Sequence, residues 1–405
     1  GDLDVDGTTN LDVVDIDGAV DMASTLAVGG VVKTERGSAG APPYTFKDDL
    51  DTGMFNISNA DLGFSVGGTE RFRIAADGSL STPTAGTNNF RAGVNAGNSI
   101  ASGGDRNILI GYNAGTAITT GDSNVAIGWE ALKTEDAHAN NVAIGHAALT
   151  TQNAGADAYN VAVGYNAGTL VTTGIQNTLI GGLAGDALTT ANYNVAVGYN
   201  AAGSSTTGHS NSVLGRHALK NNTTGSNNVA IGRDALEANT TADDNTALGY
   251  NTLTANTTGA SNTAVGKFAL RYNTTASNNT AVGVSALTTN TTGYSNTAVG
   301  TNAGDAITTA AQNTLVGFDS GTTLTTGGDN IAVGDRSLKL ATTGGNNVAL
   351  GVVALENTTT GGTNVAVGWG SLRANTTASN NTAVGHSSLG ANTTGANNAA
   401  IGYQA

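Results

Sequence analysis

The run Asn262-Thr-Ala-Val-Gly-Lys-Phe-Ala-Leu-Arg-Tyr-Asn-Thr-Thr-Ala-Ser-Asn278 is followed at once by Asn279-Thr-Ala-Val-Gly283, and the pattern begins again. An Asn, two or three β-branched or apolar residues and a Gly recur, as in Asn124-Val-Ala-Ile-Gly128 and Asn381-Thr-Ala-Val-Gly385. The closing glycines run from Gly111 to Gly402 at intervals of 17 residues, with one interval of 19 between Gly145 and Gly164. A degenerate copy, Asn89 to Gly93, precedes them, so residues 89–405 hold 18 full motifs and one imperfect one. A period held this strictly marks a repeat architecture. Seventeen residues are too few for a helix pair, and the Gly and Asn content opposes helix. Short β-branched runs punctuated by Gly and Asn indicate strands and turns. The unit is therefore expected to be one coil of an all-β parallel β-solenoid, or β-roll, with like residues stacking between coils.

Positions within the coil are numbered 1 to 17 from the Asn. Position 4 is always aliphatic and position 3 is mostly Ala, with Leu109, Leu179, Val213 and Leu315 as exceptions. Neighbouring strand residues point to opposite faces, so both faces are kept apolar, as in a strand covered on both sides. The larger side chains, such as Ile127 and Val265, are expected in the coil interior. The Ala column, including Ala126, Ala143, Ala264, Ala281 and Ala298, is expected outside, at the interface of a homotrimer.

The opposite wall of the core is written in a compensation. Position 9 is usually Leu, as in Leu236 and Leu270, and position 12 is then usually Asn. Where position 9 is Gly, as in Gly115 and Gly321, position 12 becomes aliphatic, as in Ile118 and Leu324. One large side chain per coil, supplied from either site, implies a shared interior space at nearly constant volume. Two large aliphatics per coil make a thin core against about 1–2 kcal/mol of backbone entropy per residue. Association of chains would add burial. Coils stacked at ~4.8 Å would make a rod, the shape of a spacer.

Composition narrows the classes. Charged residues are 11% and aromatics 5%, too few for a typical two-layer enzyme domain. The 39% apolar content, evenly spread, argues against disorder. No stretch of 18 apolar residues exists, so no membrane insertion is expected. The net charge of −14 disfavours nucleic acid. Without cysteine there is no disulfide, thiolate metal site or thiol catalysis.

Ahead of the repeats, residues 1–40 form an acidic, β-rich segment in which Asp alternates with Leu, Val and Ile. Asp2-Leu-Asp4-Val-Asp6-Gly7 opens like a calcium loop, but Val13 stands where that loop needs a bidentate Glu. Short strands with outward Asp are the simpler reading. Residues 41–88 alternate with period 2 between Gly turns and read as a small all-β module.

The string Tyr44-Thr-Phe, Asp51-Thr-Gly-Met-Phe55, Leu62-Gly-Phe-Ser65 and Gly68-Thr-Glu-Arg-Phe-Arg-Ile74 resembles a module of bacteriophage tail fibres. The Asp-rich start resembles phage fibre shafts. The Asn-x-Ala-Val/Ile-Gly array is similar to repeat regions of such fibres and to the β-roll heads of trimeric autotransporter adhesins, whose repeats are somewhat shorter. These resemblances imply a homotrimeric, surface-exposed attachment protein, with other virion tail proteins and a host-cell glycan or receptor as partners. The chain ends soon after Gly402, partway through a repeat, as a fragment would.

Candidate chemistry is sparse. His138, His146, His209, His217 and His386 lack metal-ligand spacing and read as solvated, so no metal and no cofactor is expected. No Ser-His-Asp arrangement can be singled out, and no catalytic residue is expected. Asn-Thr-Thr triplets such as Asn222-Thr-Thr224 and Asn290-Thr-Thr292 match glycosylation acceptors, but Asn and Thr bonding between coils explains them better. Paired threonines at positions 13 and 14 would also suit an ice-binding face, a weaker reading. Position 6 holds many rings, among them Trp129, Tyr165, Tyr199 and Trp369, which are candidate receptor-binding residues. Exposed aromatics on a rigid column can stack on sugars. The simpler reading is cover for the adjacent turn. The function expected is a structural tail-fibre shaft on the virion, or a surface adhesin or extracellular filament of the same build.

Overall fold

The computed structural model describes residues 37–46, 48–57 and 61–405, so the acidic alternation and the calcium-like run near the N-terminus lie outside the described residues. The chain divides into two compact units, 1–78 and 79–405, and the second therefore begins ahead of the first repeat Asn, Asn89.

In the first unit, β1 (Tyr44–Phe46), β2 (Asp49–Asn56), β3 (Leu62–Val66) and β4 (Thr69–Ile74) form an antiparallel meander. Gly67-Gly68, both at positive φ, make the tight turn between β3 and β4. Phe55 is buried, and Phe64 and Phe72 pack at 5.7 Å between ring centroids.

In the second unit, β5 (Leu80–Ser81) precedes β6 (Phe90–Ala92), the strand of the degenerate repeat. From β6 to β24 (Ala399–Ile401) every repeat gives one three-residue strand at positions 2–4. Each pairs in parallel and in register with the next, as in Thr246 with Thr263, Ala247 with Ala264 and Leu248 with Val265. The structure is an all-β parallel solenoid with one coil per repeat. Backbone bonds between coils continue beyond the strands. The position 7 N–H of Glu130 donates to Tyr112 O at 2.8 Å, that of Leu132 at position 9 to Ala148 O at 2.9 Å, and that of Thr223 at position 13 to Thr240 O at 2.7 Å. Main-chain groups are thus satisfied around the coil, as burial demands.

The interior side of the strand is the reverse of the sequence expectation. Ala126, Ala143, Ala264, Ala281 and Ala298 are fully buried inside their own coils and so are not an interface between chains. Ile127 and Val265 lie on the outer face, half-buried, and are not interior core. The cause is cross-section. The opposite wall fills the coil with Leu236, Leu270, Ile118 or Leu324, all fully buried, which leaves room for only a methyl on the strand.

Volume exchange extends to position 3. Leu109, Leu179 and Leu315 occupy it in coils whose position 9 is Gly115, Gly185 and Gly321. A Cβ on Gly115 would lie 2.7 Å from Leu109 Cδ2 and 2.8 Å from Ile118 Cδ1, so the three positions share one cavity. Val213 follows a coil in which Ala202 and Ser205 supply no large side chain.

The turns use left-handed backbone at positions 7, 9 and 17. Leu270, at φ 49°, is an example. Left-handed geometry costs a non-Gly residue about 1–2 kcal/mol, and full burial of Leu offsets it with about 1.5–3 kcal/mol. Gly at the same site removes the strain and the side chain together, so position 12 must then supply the volume. At position 5 only Gly fits. A Cβ on Gly266, φ 125°, would stand 2.5 Å from Gly283 O of the next coil.

Asn at position 1 is buried in every coil but the last, that of Asn398, and ties coils together. Asn262 Oδ1 accepts from the Asn279 N–H at 3.0 Å, and its Nδ2 donates to Ala276 O at 2.9 Å. Position 12 builds a second ladder: Asn239, Asn256, Asn273 and Asn290 each donate to the Asn one coil earlier, at 2.8–3.1 Å. This ladder stops where Ile307 replaces Asn, and Asn290 Oδ1 is left without a partner. In the 19-residue coil, Val142 still pairs with Val161, so the two extra residues leave the strand ladder undisturbed.

Candidate functional site: an exposed ring column

Position 6 follows the corner made by the position 5 Gly, and its side chains line one outer edge of the coils. Four rings stack in succession there. Tyr112 and Trp129 lie 6.4 Å apart and 11° from parallel, Trp129 and His146 4.5 Å and 14°, and His146 and Tyr165 5.1 Å and 23°. A second stack joins Trp369, His386 and Tyr403 at 4.7 and 5.2 Å. Of the four residues singled out from sequence, Trp129 and Tyr165 share the first stack and Trp369 belongs to the second. Tyr199 is separate, tilted by 46° against His217 at position 7. His146 and His386, read from sequence as solvated, are rungs of these stacks. Their common position 6 was the available signal.

Stacking changes what the column can bind. A ring between two neighbours has both faces covered and offers solvent only its edge. A free face exists where the column ends or is interrupted.

Between the stacks the column turns basic, with Arg216, Arg233 and Lys267 at position 6. The Arg233 guanidinium sits 5.3 Å from the Tyr250 ring centroid, and Lys267 Nζ and the Arg271 guanidinium approach Phe268 at 4.7 and 4.8 Å. Asp234 pairs with Arg233 at 3.0 Å.

Among the described residues two groups draw His and carboxylates together, which sequence spacing did not suggest: Glu135 with Asp136 and His138, and His217 with Asp234 and Glu237. Glu135 occupies the buried position 12. It accepts from the His138 N–H at 3.2 Å, and His138 Nδ1 lies 3.1 Å away. Burial pushes its carboxyl above the ordinary range, and the His138 bonds only partly oppose this. Ser226 Oγ lies 3.4 Å from His209 Nδ1, but Asp243 Oδ1 accepts from the Ser226 backbone N–H. Among the described residues no carboxylate bonds to that imidazole, as the base of a nucleophile would require.

The Asn-Thr-Thr triplets are structural. Asn222 and Asn290 are fully buried, and Thr223 Oγ1 donates to Thr240 O at 2.9 Å. Because position 13 hydroxyls are spent between coils, the paired-threonine ice face loses half of its array. Among the described residues no helix is long and apolar enough to cross a membrane. No protein-family model matches this chain, and no curated protein matches it in sequence.

Proposed function

We propose that the chain is a non-catalytic fibre shaft that associates with copies of itself and supports attachment to a cell surface. One observation carries this reading. The outer face of the strand ladder is aliphatic at position 4 in every full repeat, yet it stands open. Leu214, Leu248, Val282, Val299, Val333 and Leu350 are all exposed on it. Position 2 adds Ile108, Val195 and Ile331 to the same face. Contiguous apolar surface of this kind marks an interaction site. Another copy of this chain would repeat its own columns at the same spacing along the axis, so it can cover the face coil by coil. Three copies turning this face to a common axis fit the resemblance to phage tail fibres, which also suggests other tail proteins and a host glycan or receptor as partners. A surface adhesin of the same build is the alternative, and the same face serves either.

Mass measurement in solution tests the proposal. The unmodified chain should be a trimer, and placing Glu at Val265, Val282 and Val299 together should dissociate it, because unpaired charges resist desolvation. A well-folded monomer of the unmodified chain, or a variant trimer that persists, would overturn it.

A further inference from the structure

The ring column is broken between Tyr165 and Tyr199 by Gly182, the one Gly at position 6 in the repeat array. We propose that this missing rung is a binding slot for a single pyranose ring of a saccharide, with Tyr165 and Tyr199 as its walls. The inference deepens the attachment reading above by naming the ligand class and the place.

Three observations converge on it. Tyr165 has His146 stacked on one side and a gap on the other, and it is 57% exposed against 43% for Trp129, which is covered on both faces. Tyr199 is 52% exposed. The floor is bare backbone. A Cβ on Gly182 would meet nothing within 4 Å except the Tyr199 ring, at 3.6 and 3.9 Å. Any side chain there would therefore touch the wall of the slot.

Width selects the guest. Successive rings of the first stack beside the gap are 4.5 and 5.1 Å apart, so two coil steps set the backbones of the two walls about 9.6 Å apart, and the Tyr199 ring leans from its own rung toward Gly182. A flat aromatic guest touches at about 3.5–4.0 Å on each side and would leave about 2 Å unfilled. A puckered pyranose is thicker because C–H bonds project from both of its faces, and it fills the gap. Its hydroxyls lie at the ring edge and remain in water, so insertion strips little polar surface. The apolar C–H faces meet the tyrosines.

The test is a titration of the whole chain with maltohexaose, cellohexaose, chitohexaose and hyaluronan hexasaccharide, followed by saturation-transfer NMR. At least one should bind with the transfer concentrated on ring C–H protons. Gly182→Tyr restores the missing rung with a residue the column already accepts in five other coils. It should weaken binding at least about tenfold while leaving thermal unfolding unchanged. Tyr165→Ala and Tyr199→Ala should each weaken it, and Trp369→Ala should not. Absence of binding by all four saccharides at 10-millimolar scale (about the weakest such contacts allow), or binding that Gly182→Tyr leaves intact, would overturn the slot. Because both walls belong to one chain, a monomer that binds saccharide would uphold the slot and sink the fibre reading. A trimer without saccharide binding would do the reverse.

Discussion

A left-handed leucine is the residue on which most coils turn. Leu287 has φ 51° and is fully buried, and its coil lies beside one that uses Gly304 and Ile307 instead. Leu287→Gly alone should cost about 2–5 kcal/mol, the range for emptying a Leu site. Pairing it with Asn290→Ile extends the Gly-and-aliphatic type by one coil and moves the orphaned acceptor from Asn290 Oδ1 to Asn273 Oδ1, so the count of orphans is unchanged. The double variant should recover at least half of that loss in chemical denaturation. If it unfolds as easily as Leu287→Gly, the two positions do not share one space. The exchange itself was legible in the sequence as a covariation along the repeat. The left-handed backbone was not, because Leu is among the residues that avoid it, and only the burial it gains makes the conformation worthwhile.

At the scale of the coil, buried amides take the place of a thick apolar core. Asn262→Leu keeps the branched shape but strands the Asn279 N–H and the Ala276 carbonyl, and each buried orphan costs about 1–3 kcal/mol. Hydrogen exchange should quicken in the coils beside residue 262 and stay slow several coils away, as nearest-neighbour coupling predicts. A second expectation concerns acidity. Glu135 sits where other coils place Asn, and its carboxyl titrates above the value it has in an unfolded chain. The folded state then holds the proton more tightly, so stability is highest below the ordinary carboxyl range of about 4.3 and falls as pH rises through the raised value. Glu135→Gln should raise the melting temperature at pH 7 and lose that advantage near pH 4. An equal gain at both pH values would mean that the charge is not the cause. Strand, coil and period could all be read from the letters, whereas the direction of each strand side chain could not. Both faces are apolar, and the rule that places the larger residue inside fails when the opposite wall has already filled the space.

For the solenoid as a whole, the near-identity of its seams makes it a modular stack. Removing residues 262–278 entirely joins Ser261 to Asn279 and leaves an Asn ladder, a strand pairing and a Leu-type coil on both sides of the join. That deletion should fold with its circular dichroism per residue unchanged. Removing half of the same coil should abolish the register, since a slip exchanges inner and outer faces. The ring column was partly legible at this scale, because position 6 could be picked out by period alone. Its covered faces and its gap at Gly182 depend on the distance between rungs, which no linear reading supplies. The in-register pairing also bears on heredity. Unequal recombination between such similar copies inserts or deletes whole coils, and each product retains equivalent seams. The number of coils is therefore free to rise or fall in a single genetic event, without a new fold having to be found.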